Sequence, residues 1–547
     1  MAAVAFLATV TTAAPVRGAP PESGGGGRGP DGPGRSSSRW RDADRDRIYD
    51  DLEADLARRG DDERVPAIVV FTTPVSDEDV ARHRRDHGDF RLKARFATVN
   101  GYSAELTKGQ LNALARRSDV VHIEAEARVK ASMSTARASY GVDKAVADFG
   151  VSGDGDGNSR SYGPADVATC VIDTGIDAGH VDLDQGQVVG WKDYVNDKAS
   201  AYDDNGHGTH VAGIVAGQGD ANAAFRGVAP GGALVGVKAL DSAGSGTSTD
   251  IISAVDFCVA NRDALNIRIV NMSLGSDGSS DGTDAMSLAA SNAFDQGILP
   301  VVAAGNAGPA ASTIGSPGAG AKALTVCSMA DTGERGFFVS SFSSRGTTED
   351  GRTKPDLCAP GHRITAPGAN SGTGYVSYSG TSMATPFVAG VAALMLDANA
   401  AQTPAELKDG LVATAEDRTA TGIDSDTGGG RLRAYDALKR ASGLSGNGPD
   451  APDGHLSGTQ SLAGTGASDS WNLDVTSAAH PIALTLIVPG ASATRDFELN
   501  LYDPAGTRVA QSQTPDRQET IGAKPTATGL YRAEVKSVTG SGEYQLD

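Results

Sequence analysis

The chain has 547 residues and a formal net charge of −20, from 48 Lys and Arg against 68 Asp and Glu. This acidic balance argues against a nucleic-acid partner, which would need a basic surface, and leaves calcium or cationic peptide segments as plausible attractants. The length leaves room for three or four folded units, and 70 glycines with 5% aromatic residues are typical of a loop-rich enzyme.

The N-terminal residues predict export. Residues 1–14 form an apolar, alanine-rich run followed by small residues, so we assign 1–19 as a signal peptide although a basic n-region is lacking. No later run of 18 or more apolar residues occurs, so we expect no membrane anchor. Residues 20–64 begin with a stretch rich in Gly, Pro, Ser and Arg and are assigned as a linker and pro-region.

A separate small unit is predicted over residues 65–131. Its apolar periodicity changes from strand to helix, then to two strands, a second helix and a last strand. The order β-α-β-β-α-β predicts a ferredoxin-like α+β fold.

The next segment alternates buried strands with helices. Residues 167–173, 234–239, 269–273 and 298–303 are predicted as parallel strands, which indicates an α/β sheet with helices on both faces. Asp173 ends the first of these strands, and His207 opens a helix of small residues. Active groups of open α/β sheets lie at such strand ends and helix starts.

A serine stands at the start of a later apolar helix, predicted over 381–399. Ser382 lies in the run Gly-Thr-Ser-Met-Ala-Thr-Pro, with Pro386 expected in or near the first turn, where its missing N–H costs little. Helix-start N–H groups stabilise negative charge beside the hydroxyl, although a serine there can also be only a helix cap. The order Asp173, His207, Ser382 is one that assembles an aspartate, histidine and serine relay.

These motifs resemble those of the subtilisin-like serine proteases, the subtilases, over residues 139–443. The run Val-Val-Ala-Ala-Gly-Asn-Ala-Gly at 301–308 resembles the family segment that carries the oxyanion-hole asparagine. The resemblance implies a subtilisin-like parallel sheet and a catalytic set of Asp173, His207 and Ser382, with Asn306 as the oxyanion donor. It also implies an exposed substrate-binding edge and a pocket of small residues, which predicts broad preference for apolar or large side chains. These substrate-binding residues are Ser273, Leu274, Gly275, Ala303, Gly305 and Gly315.

The resemblance extends to the unit at 65–131, which is similar to the inhibitory propeptide of many subtilases, most visibly at 100–104 (Asn-Gly-Tyr-Ser-Ala). It implies that this unit inhibits its own enzyme and that self-cleavage falls between roughly 131 and 140. The resemblance also makes Asp182 a candidate ligand of a structural calcium ion, with a solvated loop carboxylate as the alternative.

Two other metal patterns are weaker. Residues 154–158 (Asp-Gly-Asp-Gly-Asn) are similar to the start of an EF-hand loop, but Ala165 stands where a bidentate glutamate is needed, so an acidic turn is favoured. His207 and His210 share a helix face without an intervening glutamate or an evident third ligand, which argues against a catalytic metal and leaves His210 a structural role.

The C-terminal part is predicted to be a small β-sandwich. A linker at 444–454, rich in Gly, Pro and Asp, precedes short alternating strands over 455–547. The segments at 499–506 and 529–535 resemble the pre-peptidase C-terminal domains of secreted proteases.

The cysteines are too few and too widely spaced for a disulfide scaffold or a zinc site. Cys327 and Cys358 could form one bridge in an oxidising environment, and buried thiols are the other interpretation. The complete set is Cys170, Cys258, Cys327 and Cys358.

The sequence therefore predicts a secreted, extracellular serine endopeptidase, assisted by calcium and made as a self-processed precursor. We expect a monomer that acts on proteins or peptides. Two alternatives stay open: a catalytically silent adhesion or binding protein that keeps the fold, and an esterase of the α/β-hydrolase type. The esterase elbow needs Gly-x-Ser-x-Gly and the order serine, acid, histidine, whereas Met383 and Ala384 follow Ser382 and the chain order is the reverse.

Overall fold

The computed structural model describes residues 46–49, 52–53, 56, 59–96, 100–125, 137–332, 336–445, 455–478, 482–489, 495–514 and 517–547. The predicted signal peptide, most of the predicted linkers and most of the expected self-cleavage window lie outside these ranges.

The first unit has the predicted β-α-β-β-α-β order and forms a four-stranded antiparallel sheet in the order β2-β3-β1-β4. Both helices begin with a capping box, in which a Ser or Thr side chain and the side chain three residues later satisfy two free N–H groups. The ferredoxin-like prediction is confirmed. The elements are β1 Arg64–Phe71, α1 Asp77–His87, β2 Arg91–Phe96, β3 Gly101–Thr107, α2 Lys108–Ala115 and β4 Val120–Ala125.

His83 lies in the core of this unit, stacked on Phe71 with ring centroids 5.1 Å apart. Burial, helped by Arg117 and Arg82, lowers the pKa of His83 to about 4. An unfolded histidine has a pKa near ~6.5, so the unfolded chain binds more protons below that pH. The stability that neutral His83 contributes is therefore present above about pH 6.5 and is lost as the pH falls toward 4.

We therefore expect the protection of the strands of this unit against hydrogen exchange, after correction for the intrinsic exchange rates, to be lower at pH 5 than at pH 7.5. The measurement uses the uncut full-length chain with Ser382→Ala. His83→Phe should reduce the pH dependence but not abolish it, because burial also lowers the pKa of His122 on β4, to about 3. His87→Phe, half-buried on the same helix as His83, should keep the wild-type slope. An unchanged slope in His83→Phe would exclude His83 as the cause.

The catalytic unit is built on a seven-stranded sheet in which every neighbouring pair is parallel. The four predicted strands are present, and three further strands extend the sheet at its edges. The strand order is β11-β10-β9-β8-β5-β7-β6. The strands are β5 Ala168–Asp173, β6 Val188–Asp193, β7 Ala233–Lys238, β8 Ile267–Met272, β9 Leu299–Ala303, β10 Leu324–Met329 and β11 Leu357–Pro360. An antiparallel ribbon follows, of β12 Ile364–Pro367 and β13 Tyr375–Tyr378.

Helices cover both faces of this sheet, as the sequence predicted. One apolar core contains α3, α4, α7, α8 and α9, and the other contains α5, α6 and part of the first unit's sheet, namely Ile68, Val70 and Phe96. The first unit therefore packs on the face formed by α5 and α6. The helices are α3 Val142–Phe149, α4 His207–Ala216, α5 Ser248–Ala260, α6 Ala285–Asp295, α7 Thr381–Ala398, α8 Pro404–Ala413 and α9 Ala434–Ala441, with a 3₁₀ turn at Ala223–Phe225.

The helix α7 is the central one. It is long and apolar enough to match a membrane span by length and composition, but 89% of that window is buried inside the protein, which makes it a core helix. Pro386 is its sixth residue, just after the first turn; we expected it in or near that turn. The proline consequently removes an N–H that would otherwise bond to the carbonyl of Ser382.

The C-terminal unit consists of two four-stranded antiparallel sheets in the orders β14-β21-β16-β19 and β15-β20-β17-β18. One apolar cluster joins them, including Leu486 and Tyr544 from the first sheet and Phe497, Leu501 and Val535 from the second. The predicted small sandwich is confirmed. Its strands are β14 Gly458–Leu462, β15 Ser468–Val475, β16 Ile482–Ile487, β17 Asp496–Tyr502, β18 Arg508–Ser512, β19 Gln518–Ala523, β20 Gly529–Thr539 and β21 Gly542–Leu546.

The sandwich is bound to the catalytic unit through polar groups that are themselves buried. The guanidinium of Arg418 is enclosed between Glu416 of the catalytic unit and Asp547 and His455 of the sandwich. His455 also bonds Asp547, at 2.7 Å from Nε2 to Oδ1. Burial lowers the pKa of Arg418 to about 10. The pairing carboxylates thus compensate a cation that is held away from water.

Two disulfides cross-link the catalytic unit, so the interpretation as buried thiols is wrong. Cys327 and Cys358 face each other in register on β10 and β11, with Cα atoms 4.4 Å apart. The Cys170–Cys258 bridge, which we did not predict, joins β5 to α5 at a Cα distance of 6.2 Å. Its 88-residue separation in sequence concealed the pairing, because only the packing of α5 on the sheet brings the two together.

Candidate active site

Asp173 and His207 meet at the carboxyl edge of the sheet. Asp173 is the last residue of β5, and its Oδ1 lies 2.6 Å from Nδ1 of His207. Because a carboxylate accepts, this contact places the imidazole proton on Nδ1 and leaves Nε2 as the acceptor. Both side chains are buried, and Nε2 has no hydrogen-bond partner within the described part of the chain.

Glycines allow this close approach. Gly206 caps α4 at φ 105°, a left-handed conformation that favours glycine. A Cβ on Gly208 would lie 2.1 Å from the carbonyl oxygen of Gly175 and 3.1 Å from Cβ of Asp173. Only a glycine therefore lets the start of α4 pack against the end of β5 and present His207 to Asp173.

Ser382 is the second residue of α7 and is buried. Pro386 has no N–H to donate to the Ser382 carbonyl. This carbonyl instead accepts a hydrogen bond of 2.5 Å from Oγ of Ser273. Ser273 follows β8 and is buried. Its hydroxyl therefore supports the backbone of the serine, although we had predicted Ser273 only as part of the substrate edge.

Asn306 stands in the exposed loop after β9, with its side chain oriented by Thr381. Its Oδ1 accepts from the Thr381 N–H at 2.9 Å and from Thr381 Oγ1 at 3.1 Å. A backbone N–H can only donate, so the oxygen of the amide is fixed on Thr381. The amide NH₂ is left as a donor beside the start of the serine helix.

The other predicted substrate-binding residues lie around the ends of β8 and β9. Gly305 donates its N–H to Oγ1 of Thr381 at 3.2 Å, which places this loop against the serine helix. Gly315 packs so closely on the segment after β8 that a Cβ there would lie 2.4 Å from the Ser276 carbonyl. Leu274 and Ala303 are buried, whereas Gly275 and Gly305 are partly exposed. The segments predicted to form the substrate edge and the pocket wall are thus adjacent in space.

Comparison with known proteins places these residues in a family. A sequence model described as "Subtilase family" matches residues 165–430, and one described as "Peptidase inhibitor I9" matches residues 68–132. Serine protease AprX of Bacillus subtilis (strain 168) is 39% identical over 342 residues, which cover 58% of this chain and 75% of that protein. The chain belongs to the subtilase family.

Two further relatives agree with this assignment. Subtilisin of Bacillus pumilus is 38% identical over 263 residues, covering 47% of this subtilase and 86% of the relative. Alkaline serine exoprotease A of Vibrio alginolyticus is 32% identical over 456 residues, which cover 80% of this chain and 79% of that protein. The protein is a serine endopeptidase made as a self-processed precursor with an I9 propeptide. The esterase alternative is excluded, and nothing favours the silent binding protein.

The metal candidates of this subtilase differ in how well they suit an ion. Both oxygens of the buried Asp182 are already bonded, to the Ala221 N–H at 3.2 Å and to the Tyr375 hydroxyl at 2.8 Å. Carboxylates of Asp154, Asp156 and Asp166 have oxygens within 4.8 Å of one another. Among the described residues, this is the one group of three such side chains close enough to share an ion.

His210 has a structural position in this subtilase, as predicted. Its Nε2 lies 3.1 Å from the carbonyl oxygen of Val376 in the ribbon, and burial lowers its pKa well below the usual range. The ring is thus held neutral as a bridge between α4 and β13.

Two charged residues that our sequence reasoning did not single out lie beside Asp173 and His207. Asp203 is buried four residues before His207. Lys238 ends β7 in register with Asp173, and its buried ammonium bonds the carbonyl of Thr174 at 2.5 Å. The sequence did offer a signal for each of them. Lys238 is a charged residue that ends an apolar strand, and Asp203 is an acid just before the histidine motif.

Proposed function

We propose that Asp173, His207 and Ser382 cleave peptide bonds through an acyl-enzyme, with Asn306 as oxyanion donor. The observation that carries this proposal is the 2.6 Å contact that directs Nε2 of His207 away from Asp173 as a free acceptor. His207 takes the proton of Ser382 as Oγ attacks the substrate carbonyl, and Asp173 stabilises the resulting imidazolium. The imidazolium then protonates the leaving amine, and water releases the acyl group by the same route.

Charge that develops on the substrate oxygen is met by two donors. One is the Asn306 amide NH₂, whose direction is set because its oxygen is engaged by Thr381. The other is the N–H of Ser382 at the start of α7, where the helix dipole also favours negative charge. Both donors are preorganised, so little reorganisation is needed when the charge forms.

We further propose that substrates bind as an extended strand along Ser273, Leu274 and Gly275, with one side chain entering the pocket by Gly305 and Gly315. The small residues there leave room for apolar or large side chains.

A serine-directed phosphonate provides the direct test. Wild type should lose activity on a denatured protein as one phosphonyl group adds to Ser382, located by peptide mapping. Protein that stays active with Ser382 unlabelled would contradict the mechanism, and an inactive, unlabelled protein would favour the silent binding protein.

Export is the second part of the proposal. The two disulfides suit an oxidising compartment, since cytosolic thiols are kept reduced. We infer a secreted, monomeric enzyme with a signal peptide at 1–19, a pro-region at 20–64, an inhibitory propeptide at 65–131, a peptidase domain at 139–443, a linker at 444–454 and a pre-peptidase C-terminal-like domain at 455–547.

Calcium is the third part, and the group of Asp154, Asp156 and Asp166 suits it better than Asp182. Oδ1 of Asp154 already folds the loop by accepting the N–H of Asp156 at 2.8 Å and of Gly157 at 2.9 Å. Backbone N–H groups also bond Oδ1 of Asp156 and both oxygens of Asp166. Three carboxylates close together nevertheless supply more of the hard oxygen ligands that calcium prefers than the single carboxylate of Asp182.

We expect a chelator to lower the melting temperature of wild type. A ligand that binds only the folded form at a hundredfold excess over Kd stabilises it by about 2.7 kcal/mol. Asp156→Asn, at an exposed position, should blunt the chelator response, and Asp182→Asn is the matched comparison. A response lost in Asp182→Asn and kept in Asp156→Asn would move the ion to Asp182, and no response in wild type would remove calcium from the proposal.

A further inference from the structure

The carboxylate of Asp203 is buried and collects five hydrogen bonds. Oδ1 accepts from Thr174 Oγ1 at 3.0 Å, from the Asn205 N–H at 3.0 Å and from the Gly206 N–H at 2.8 Å. Oδ2 accepts from the N–H of Thr209 at 2.9 Å and from its hydroxyl at 2.7 Å. A charged acceptor makes each of these bonds stronger than a neutral one would.

These bonds join the residue after Asp173 to the residues on both sides of His207. Thr174 donates its hydroxyl to Asp203 and accepts the Gly208 N–H on the same oxygen at 2.8 Å. Gly206, on the other side of His207, donates directly to Asp203. The backbone that carries the imidazole is therefore fixed at both flanking residues to the backbone that carries Asp173.

Lys238 fixes the same two segments from the other side. Its ammonium bonds the Thr174 carbonyl at 2.5 Å and Oδ1 of Asp204 at 2.6 Å, and it is fully buried. The loop before His207 is thus linked to the end of β5 by Asp203 on one side and by Asp204 on the other.

We infer that Asp203 is a positioning residue, which sets the distance and angle between Asp173 and His207 without touching the substrate. This inference rests on the proposed roles of Asp173, His207 and Ser382. Misplacing a catalytic group by about 1 Å can cost ~10²-fold in rate. A change at Asp203 should therefore lower kcat while substrate binding, which involves other residues, stays the same.

Asp193 provides a matched control. It is equally buried and accepts four hydrogen bonds, from the N–H groups of Val195, Asn196 and Lys198 and from the hydroxyl of Tyr202. None of these donors adjoins Asp173 or His207 in sequence. Its loss should affect folding stability like that of Asp203 but leave the catalytic pair in place.

The test compares Asp203→Asn with Asp193→Asn in the self-processed enzyme, which a slower variant still yields on longer incubation. We expect Asp203→Asn to lower kcat by about 10–100-fold, with KM within about twofold, and to slow phosphonate labelling of Ser382 equally. In Asp203→Asn, the downfield NMR signal of the Nδ1 proton of His207 should shift or broaden. Asp193→Asn should keep the wild-type kcat and NMR signal at a comparable melting temperature.

A second pair of variants covers the case in which Asp203→Asn fails to fold. Thr174→Val removes the hydroxyl that links Asp203 to Gly208 while keeping the side-chain shape, and Thr174→Ser keeps that hydroxyl. We expect the valine variant to lose kcat and the serine variant to retain it.

The outcomes separate this inference from the proposed function. Wild type that is not labelled at Ser382 would remove the proposed function itself. If wild type is labelled normally, two results would overturn the positioning role of Asp203. One is an unchanged kcat in Asp203→Asn, and the other is an equal loss of kcat in Asp193→Asn. Equal kcat in the two Thr174 variants would overturn it as well.

Discussion

Ser382→Ala should leave the precursor uncut and lower kcat by about 10⁶-fold, because it removes the nucleophile and leaves only the binding site and the oxyanion donors. Wild type should mature to a species that begins between residues 131 and 137. This window is narrower than the one expected from the sequence, since the residues that follow are held in the catalytic unit. Arg137 Nε bonds Asp143 at 2.8 Å, and Tyr140 is buried in the main core.

The measurement is N-terminal sequencing of both purified proteins after the same incubation. Ser377→Ala, which replaces an exposed serine on the ribbon, should process like wild type. Wild-type enzyme added to the Ser382→Ala precursor would show whether the bond is also open to a second molecule. If Ser382→Ala alone is cut at the same bond and rate as wild type, the cleavage is not self-catalysed.

Asn306→Leu should lower kcat by about 10²–10³ with KM little changed, the loss expected for one oxyanion donor in a subtilase. The amide binds the substrate oxygen weakly in the ground state and strongly once that oxygen carries charge. A residue that only shaped the loop would instead affect stability or KM.

The contact with Thr381 requires a second variant. Asn306→Leu also removes the acceptor of the Thr381 N–H, whereas Asn306→Asp keeps an acceptor there, deletes the NH₂ donor and adds a negative charge. We expect both variants to lose kcat when mature enzyme is assayed on a peptide ester or anilide. If Asn306→Asp stays near wild type, the residue acts by anchoring Thr381. A mature Asn306→Leu enzyme within about threefold of wild type, far from the ~10²-fold loss, would contradict the oxyanion role.

The residues that could be predicted are those whose position follows from local pattern. Asp173, His207 and Ser382 stand where apolar runs end or begin, and the ends of buried elements are visible in a sequence. The structure brings Asp173 into contact with His207 and sets Asn306 against the start of the serine helix, as the resemblance to the subtilases implied.

Two strands were missed because their local patterns are weak. The edge strand β6 is only half-buried and contains Gly190 and Lys192, and β11 has only four residues and ends in a proline.

Other features were missed because they depend on residues that are distant along the chain. The Cys170–Cys258 bridge and the five hydrogen bonds of Asp203 exist only because separate segments converge. No local periodicity reports such convergence, and a buried acid in a polar loop is indistinguishable from a solvated one.

The buried pairing at Arg418 bears on where this chain can be shortened. Composition places the boundary at the Gly- and Pro-rich stretch 444–454, which suggests that a peptidase ending there would be complete. Such a truncation would remove Asp547 and His455, which contact the Arg418 guanidinium, and would leave Glu416 as its partner in the same ion cluster. The peptidase would thus lose a charge pairing that the sandwich shields from water, so we expect the truncated chain to be less stable. The Gly- and Pro-rich stretch is therefore not the point at which the protein divides into independent parts.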